Sequence, residues 1–343
     1  MTSAERIFTA LERKIPDRIP VMEMIIHPKI IRALKFKDYF ELADTLELDA
    51  VMVGGQQLAM RADDIETSGK QRKVYVNEWG VTMCCTGEVV DVPIDYPIKK
   101  PEDFKQYIPP DPGKNKLLEW LPEVVKRYKG KKAIIVSARE VFANSWNIRG
   151  MENYLMDYIF NHELIKDIAR MVTDYAKELH SLLIRAGVDV ILMGDDYAFK
   201  TGPLMSPAQF KEFIAPYLKE IVDNIKREGA YCIKHTDGNI WDIIDQIVET
   251  GVDCLGPLEP MAGMDLYEVK KRFKGQVCVL GNVDVDLLSR GEKEDIKKET
   301  LRLIELVGPG GGYILSSGNS ISSSVRPENF IEMVKTVKKY GIY

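Results

Sequence analysis

His235 and Asp237 stand two residues apart in the run Lys234-His235-Thr236-Asp237-Gly238-Asn239, where an apolar stretch gives out. Residues i and i+2 of a β-strand share a face, so an imidazole and a carboxylate at this spacing could converge on one metal ion or one substrate proton. Ala230-Tyr231-Cys232-Ile233 reads as the strand that would present them, and Gly238 as its end. The same residues also read as a buried histidine followed by a turn-forming Asp-Gly pair.

Elements able to position such a pair are visible along the whole chain. Short apolar runs at 19–24, 50–53, 133–137, 188–193, 231–233, 252–255, 277–280 and 313–315 alternate with longer amphipathic stretches such as 164–186, 207–228 and 239–250. Alternating strands and helices with connections of this length imply a parallel sheet. Eight such units predict an α/β fold of the (β/α)8 TIM barrel type. Residues 74–92 break the rhythm and predict a β-hairpin inserted near the barrel mouth, in a single domain over 1–343. The Pro-rich stretch 93–112 then reads as a surface connection.

In such a barrel the working groups sit at the carboxyl ends of the strands. Those ends here carry Glu23 and His27, Arg139 and Glu140 with Trp146 beyond, Asp195 and Asp196, His235 and Asp237, Glu259, Asn282 and Asp284, then Ser316, Ser317 and Asn319. Each has a structural alternative. Asp195 or Asp196 would cap a turn, Asn282 would satisfy strand-end carbonyls, and Glu23 would pair with an arginine. Together they are costly to bury unless a metal or polar ligand shares the site. Gly308-Pro309-Gly310-Gly311-Gly312 precedes a strand and so reads as a helix stop rather than a phosphate cradle. Gly54-Gly55 marks a tight turn after the second strand.

Of the 343 residues 45% are hydrophobic and 29% charged, with a net charge of -5, which is globular composition and argues against nucleic acid as a partner. Five cysteines without CxxC spacing, no signal-like start and no membrane-length apolar run fit a reduced, cytoplasmic protein.

The runs Gly202-Pro203-Leu204-Met205-Ser206-Pro207, His235-Thr236-Asp237-Gly238-Asn239, Leu280-Gly281-Asn282-Val283-Asp284 and Gly311 through Asn319 resemble the uroporphyrinogen decarboxylase superfamily, from Arg18-Ile19-Pro20 onward. That resemblance implies a (β/α)8 barrel and one of two chemistries: decarboxylation of porphyrinogen acetates, or zinc-dependent methyl transfer involving a cobalamin on a separate protein. The decarboxylase pattern has an Arg-rich segment after the first strand, where this chain reads Met22-Glu23-Met24-Ile25-Ile26-His27-Pro28. Its aspartate falls at Gly54-Gly55 and its histidine at about Asn319. A polycarboxylate would meet Glu23, Asp195, Asp196 and Asp237, a mismatch of charge.

Thiol-acting methyltransferases of the superfamily hold zinc through His-x-Cys-Gly and a later Cys. Here those positions are His235, Asp237 and Ser316, a harder set that still suits zinc with Glu259 or Asp195 added. The branch that this chain resembles more is the methyltransferases of aromatic O-demethylation. It implies metal ligands His235 and Asp237, catalytic Asp195, Asp196 and Glu259, and substrate contacts from Glu23, His27, Trp146, Tyr197, Asn282 and Asn319. The implied partners are a corrinoid protein and a small-molecule methyl donor; oligomeric state is open, with a homodimer among the options. The alternatives are decarboxylation of a small or cyclic carboxylic acid and a non-catalytic ligand-binding barrel.

Overall fold

The computed structural model describes residues 1–54 and 73–343. Seven strands form a parallel sheet in the order β1 (Ala50–Val53), β5 (Ala133–Ala138), β6 (Val190–Gly194), β9 (Tyr231–His235), β10 (Cys254–Leu255), β11 (Cys278–Leu280) and β12 (Tyr313–Ile314), while β7 (Ala198–Phe199) and β8 (Gly202–Pro203) make a separate antiparallel pair. The register runs Ala50 beside Ala133, Val190 beside Tyr231 and Cys254 beside Ile233. Nearly every residue of these strands is buried, as expected where helices cover a parallel sheet. The long helix His162–Arg185 shows how the cover is made: Leu164, Ile165, Ile168, Ala169, Val172 and Leu179 recur at helical spacing on its buried face.

The predicted first strand, 19–24, is not a regular strand. Val21 forms a single parallel bridge to Leu315, with the Leu315 N–H donating to Pro20 O at 2.9 Å and the Met22 N–H to Leu315 O at 3.1 Å. On its other side Val21 O accepts from the Asp49 N–H at 2.8 Å, so this short segment closes the ring between β12 and β1. Pro20 has no N–H to extend the ladder. Below the ring, the buried Asp49 carboxylate is held by Arg6 at 2.6 Å, by Arg18 at 2.8 and 3.0 Å, and by the Val21 N–H at 2.8 Å.

The predicted helices are divided more finely than the sequence suggests. In place of 207–228 there are Pro207–Phe213 and Ala215–Arg227, where Pro216 occupies the first turn of the second. In place of 239–250 only Ile244–Glu249 is helical. The antiparallel insert is a three-stranded sheet rather than a hairpin: β2 (Val74–Val76), β3 (Thr82–Cys84) and β4 (Val92–Asp95), with β3 central. It is fastened to the barrel by a Trp79–Tyr175 edge contact at 4.6 Å and by the Asn115 side-chain amide donating to Glu78 at 3.0 Å. Of the Gly54-Gly55 turn, Gly55 lies outside the described residues. In the glycine loop, Gly308 ends the helix Lys293–Val307, and the Lys270 ammonium donates to carbonyls of Val307, Pro309 and Gly311. Among the described residues no helix is long and apolar enough to cross a membrane.

Candidate functional site

β9 runs two residues further than predicted, so His235 is its last member and Asp237 lies in the following turn. The two side chains therefore converge through the turn rather than along one strand face. The Asp237 N–H donates to Asp196 Oδ1 at 3.0 Å, and the Gly238 N–H donates to Glu259 Oε2 at 3.1 Å. Gly238 permits this path: its φ is +82°, and a Cβ there would sit 2.3 Å from Ala198 O.

The result is a cluster of Asp196, His235 and Asp237 whose ligand atoms all lie within 4.8 Å of one another. His235 Nδ1 is 2.8 Å from Pro257 O, and since a carbonyl only accepts, Nδ1 carries the proton. In the neutral imidazole the Nε2 lone pair then faces Asp237 Oδ1 at 3.7 Å and Asp196 Oδ1 at 4.0 Å. A ring nitrogen fixed in this way by a backbone carbonyl is the usual support of a metal-binding histidine. Asp237 Oδ2 accepts from Asn319 Nδ2 at 2.9 Å, whereas its enclosed Oδ1 has no hydrogen-bond partner among the described residues. Burial holds the Asp237 carboxyl above its usual range, reinforced by Asp196 and Glu259 and opposed by His235.

The third member of the cluster is thus Asp196, in place of the expected Asp195 or Glu259. Asp195 is fully buried and turned the other way, accepting from the Glu140 N–H at 2.9 Å and the Phe142 N–H at 2.8 Å at the start of the helix Val141–Arg149. Glu259 is committed to the Gly238 N–H. His27 accepts from the Lys29 N–H on Nδ1 and donates from Nε2 to Gly87 O at 3.2 Å, tying the insert to the barrel with both ring nitrogens in use. Asn282 spends its amide on the carbonyls of Leu258 and Met264. Tyr197 is wholly buried, edge-on to Phe142 and Phe210, with the Lys234 ammonium 4.4 Å from its ring centre. Trp146 is half-buried on Val141–Arg149.

Among the described residues Glu23 pairs with a serine rather than an arginine. It accepts from the Ser317 N–H at 3.0 Å and lies 2.5 Å from Ser317 Oγ, and burial pushes its carboxyl up to about 8. Two buried contacts had little sequence signal. Pro257 acts through a backbone carbonyl, and His180, buried 3.3 Å from the equally buried Glu140, sits on a helix face otherwise read as core.

A closed parallel α/β barrel with a histidine–carboxylate cluster at the carboxyl ends of its strands defines a barrel protein with its working groups at the mouth. The chain belongs to the uroporphyrinogen decarboxylase (URO-D) family, which matches residues 2–340. It is 30% identical over 179 residues to a uroporphyrinogen decarboxylase of Legionella pneumophila (strain Paris), covering 51% of this chain and 47% of that one. A uroporphyrinogen decarboxylase of Pseudoalteromonas translucida is 28% identical over 185 residues, 52% of this chain and 48% of its own. The chain thus spans about half the length of these curated relatives. In fold it is similar to a methyltransferase from Methanosarcina mazei, with a TM-score of 0.79, 18% identity and 99% of both chains covered.

Proposed function

We propose that this chain is a methyltransferase that takes a methyl group from a methoxylated aromatic compound and delivers it to the Co(I) of a corrinoid carried by a separate protein. The observation that carries this is the trio Asp196, His235 and Asp237, whose ligand atoms lie within 4.8 Å of one another and which leaves Asp237 Oδ1 without a hydrogen bond among the described residues. One nitrogen and two oxygens suit zinc, and the orphaned Asp237 Oδ1 is the kind of atom that a bound cation satisfies. Zinc there would supply a Lewis acid for the ether oxygen.

The reaction breaks the O–CH3 bond and leaves its electron pair on the phenol oxygen, while the pair for the new bond comes from Co(I). Phenolate is a poor leaving group, so the chain must stabilise that oxygen and align the methyl carbon. His235 is fixed by Pro257 and Asp237 by Asn319, so neither has to reorganise as charge develops. Asp196 is the exposed member of the trio. A carboxylate where thiol-acting relatives place cysteine makes the site harder and favours an oxygen-linked donor.

The test is methyl transfer from a vanillate-like ether to a reduced corrinoid protein by zinc-loaded enzyme. Release of CO2 from a carboxylic acid without any corrinoid protein would establish the decarboxylase alternative, which the names of the sequence relatives favour. Ligand binding without turnover in either assay would leave a binding barrel.

A further inference from the structure

Ser317 Oγ lies within hydrogen-bond distance of two acceptors, Glu23 Oε2 at 2.5 Å and the backbone carbonyl of Asn319. A hydroxyl has one proton to give. If Glu23 were a carboxylate, one of these two contacts would bring oxygen lone pairs together with no proton between them. If Glu23 is the acid, both are satisfied: Glu23 donates to Ser317 Oγ, and Ser317 donates to Asn319 O.

The chain continues from there to the cluster. Asn319 Oδ1 accepts from the Ser320 N–H at 2.6 Å, which fixes the amide so that its Nδ2 faces Asp237 Oδ2 at 2.9 Å. The Glu23 carboxyl and Ser317 are fully buried, and Glu23 Oε1 takes the Ser317 N–H. Among the described residues no cation offsets the burial of Glu23, and a titratable group that feels its charge is Tyr39, whose hydroxyl accepts from the Met52 N–H.

We propose that Glu23 is held as a neutral carboxylic acid and is a positioning residue for the mouth cluster, its proton completing the chain Glu23, Ser317, Asn319, Asp237 that keeps Asp237 Oδ1 free for a cation. Its second half rests on the metal assignment above. Ionisation of Glu23 leaves Ser317 one proton short, so either its bond to Glu23 or its bond to the Asn319 carbonyl is lost.

The experiment has two arms on the full chain, both independent of turnover. Infrared spectroscopy at neutral pH reads the carbonyl stretch of a protonated carboxyl, expected in wild type and missing from Glu23→Gln. Zinc affinity, measured by chelator competition from pH 6.5 to 9.5, is expected to fall by roughly tenfold in wild type as Glu23 ionises near pH 8, the size of effect usual for a supporting partner. Glu23→Gln, which keeps a donor toward Ser317 and never ionises, is expected to lack that fall, and Ser317→Ala to bind about tenfold more weakly throughout. A missing carboxyl band in wild type that still takes up zinc, or an alkaline fall in Glu23→Gln equal to that of wild type, overturns the role of Glu23. Failure of wild type to bind zinc while the band is present overturns the metal assignment and the positioning role together, and so is told apart from the first result.

Discussion

Oδ1 of Asp237 lies 3.7 Å from Nε2 of His235 and takes no hydrogen bond among the described residues, while Oδ2 of the same carboxylate is held by Asn319 at 2.9 Å. One oxygen positions the group and the other is left for chemistry. His235→Ala and Asp237→Ala each remove a donor, so zinc affinity is expected to drop by more than the 10–100-fold typical of an outer partner. Asn319→Ala removes the support alone and is expected to fall within that range. Equilibrium dialysis against zinc measures all three, and unchanged uptake in His235→Ala would remove the metal from this site.

Gly238 has the sharpest steric requirement in the site turn. With φ at +82° and Ala198 O 2.3 Å from the position of a Cβ, Gly238→Ala forces the turn to move. A destabilisation of about 2–4 kcal/mol is expected from backbone strain plus the clash. Urea unfolding reads it, and a midpoint equal to wild type would mean the turn relaxes freely.

At the opposite end of the barrel, Asp49 is fully buried between Arg6 and Arg18 and also accepts from the Val21 N–H of the closing segment. Asp49→Ala leaves the Arg18 guanidinium and the Val21 N–H without their carboxylate, while Arg6 keeps Asp17, for an expected loss of about 3–5 kcal/mol. Because this end is remote from the mouth cluster, zinc affinity of the folded fraction is expected to stay at the wild-type value, which separates a stability role from a site role.

Glu23 gives a stability difference with a defined sign. Its folded pKa, near 8, lies above the ordinary 4.5, so between those values the folded state holds a proton that the unfolded chain has released. Stability from this group is complete below pH 4.5, declines by about 1.4 kcal/mol per pH unit as pH rises, and levels off above pH 8. Subtracting the pH profile of Glu23→Gln from that of wild type isolates the term from the other carboxylates. A difference that is flat from pH 5 to 8 would mean that Glu23 is ionised in the fold.

Much of the barrel was legible because its strands are continuous apolar runs, as strands covered on both faces must be; 50–53 and 277–280 match their strands to within a residue. The closing segment was misjudged in kind, since apolar content at 19–24 does not reveal that Pro20 withholds a ladder donor. The insert was visible as a change of period, but its third strand was not. Val92–Asp95 carries a proline and a charge, and its pairing depends on β3 lying alongside. In the site, residue types at the strand ends marked the mouth as polar, but the i, i+2 spacing of His235 and Asp237 counted on a strand that ends at His235, and it is the turn that brings the two together.

The sequence by itself determined that carboxylates and an imidazole would crowd one end of a parallel barrel, because side-chain chemistry and strand alternation are local properties. Only the tertiary structure decided between Asp195 and Asp196. The two are adjacent in the chain, yet Asp195 is claimed by N–H groups of Glu140 and Phe142, more than 50 residues away, while Asp196 turns to His235 and Asp237. A buried carboxylate goes where unsatisfied donors wait, and the position of those donors is set by how one βα unit lies against the next.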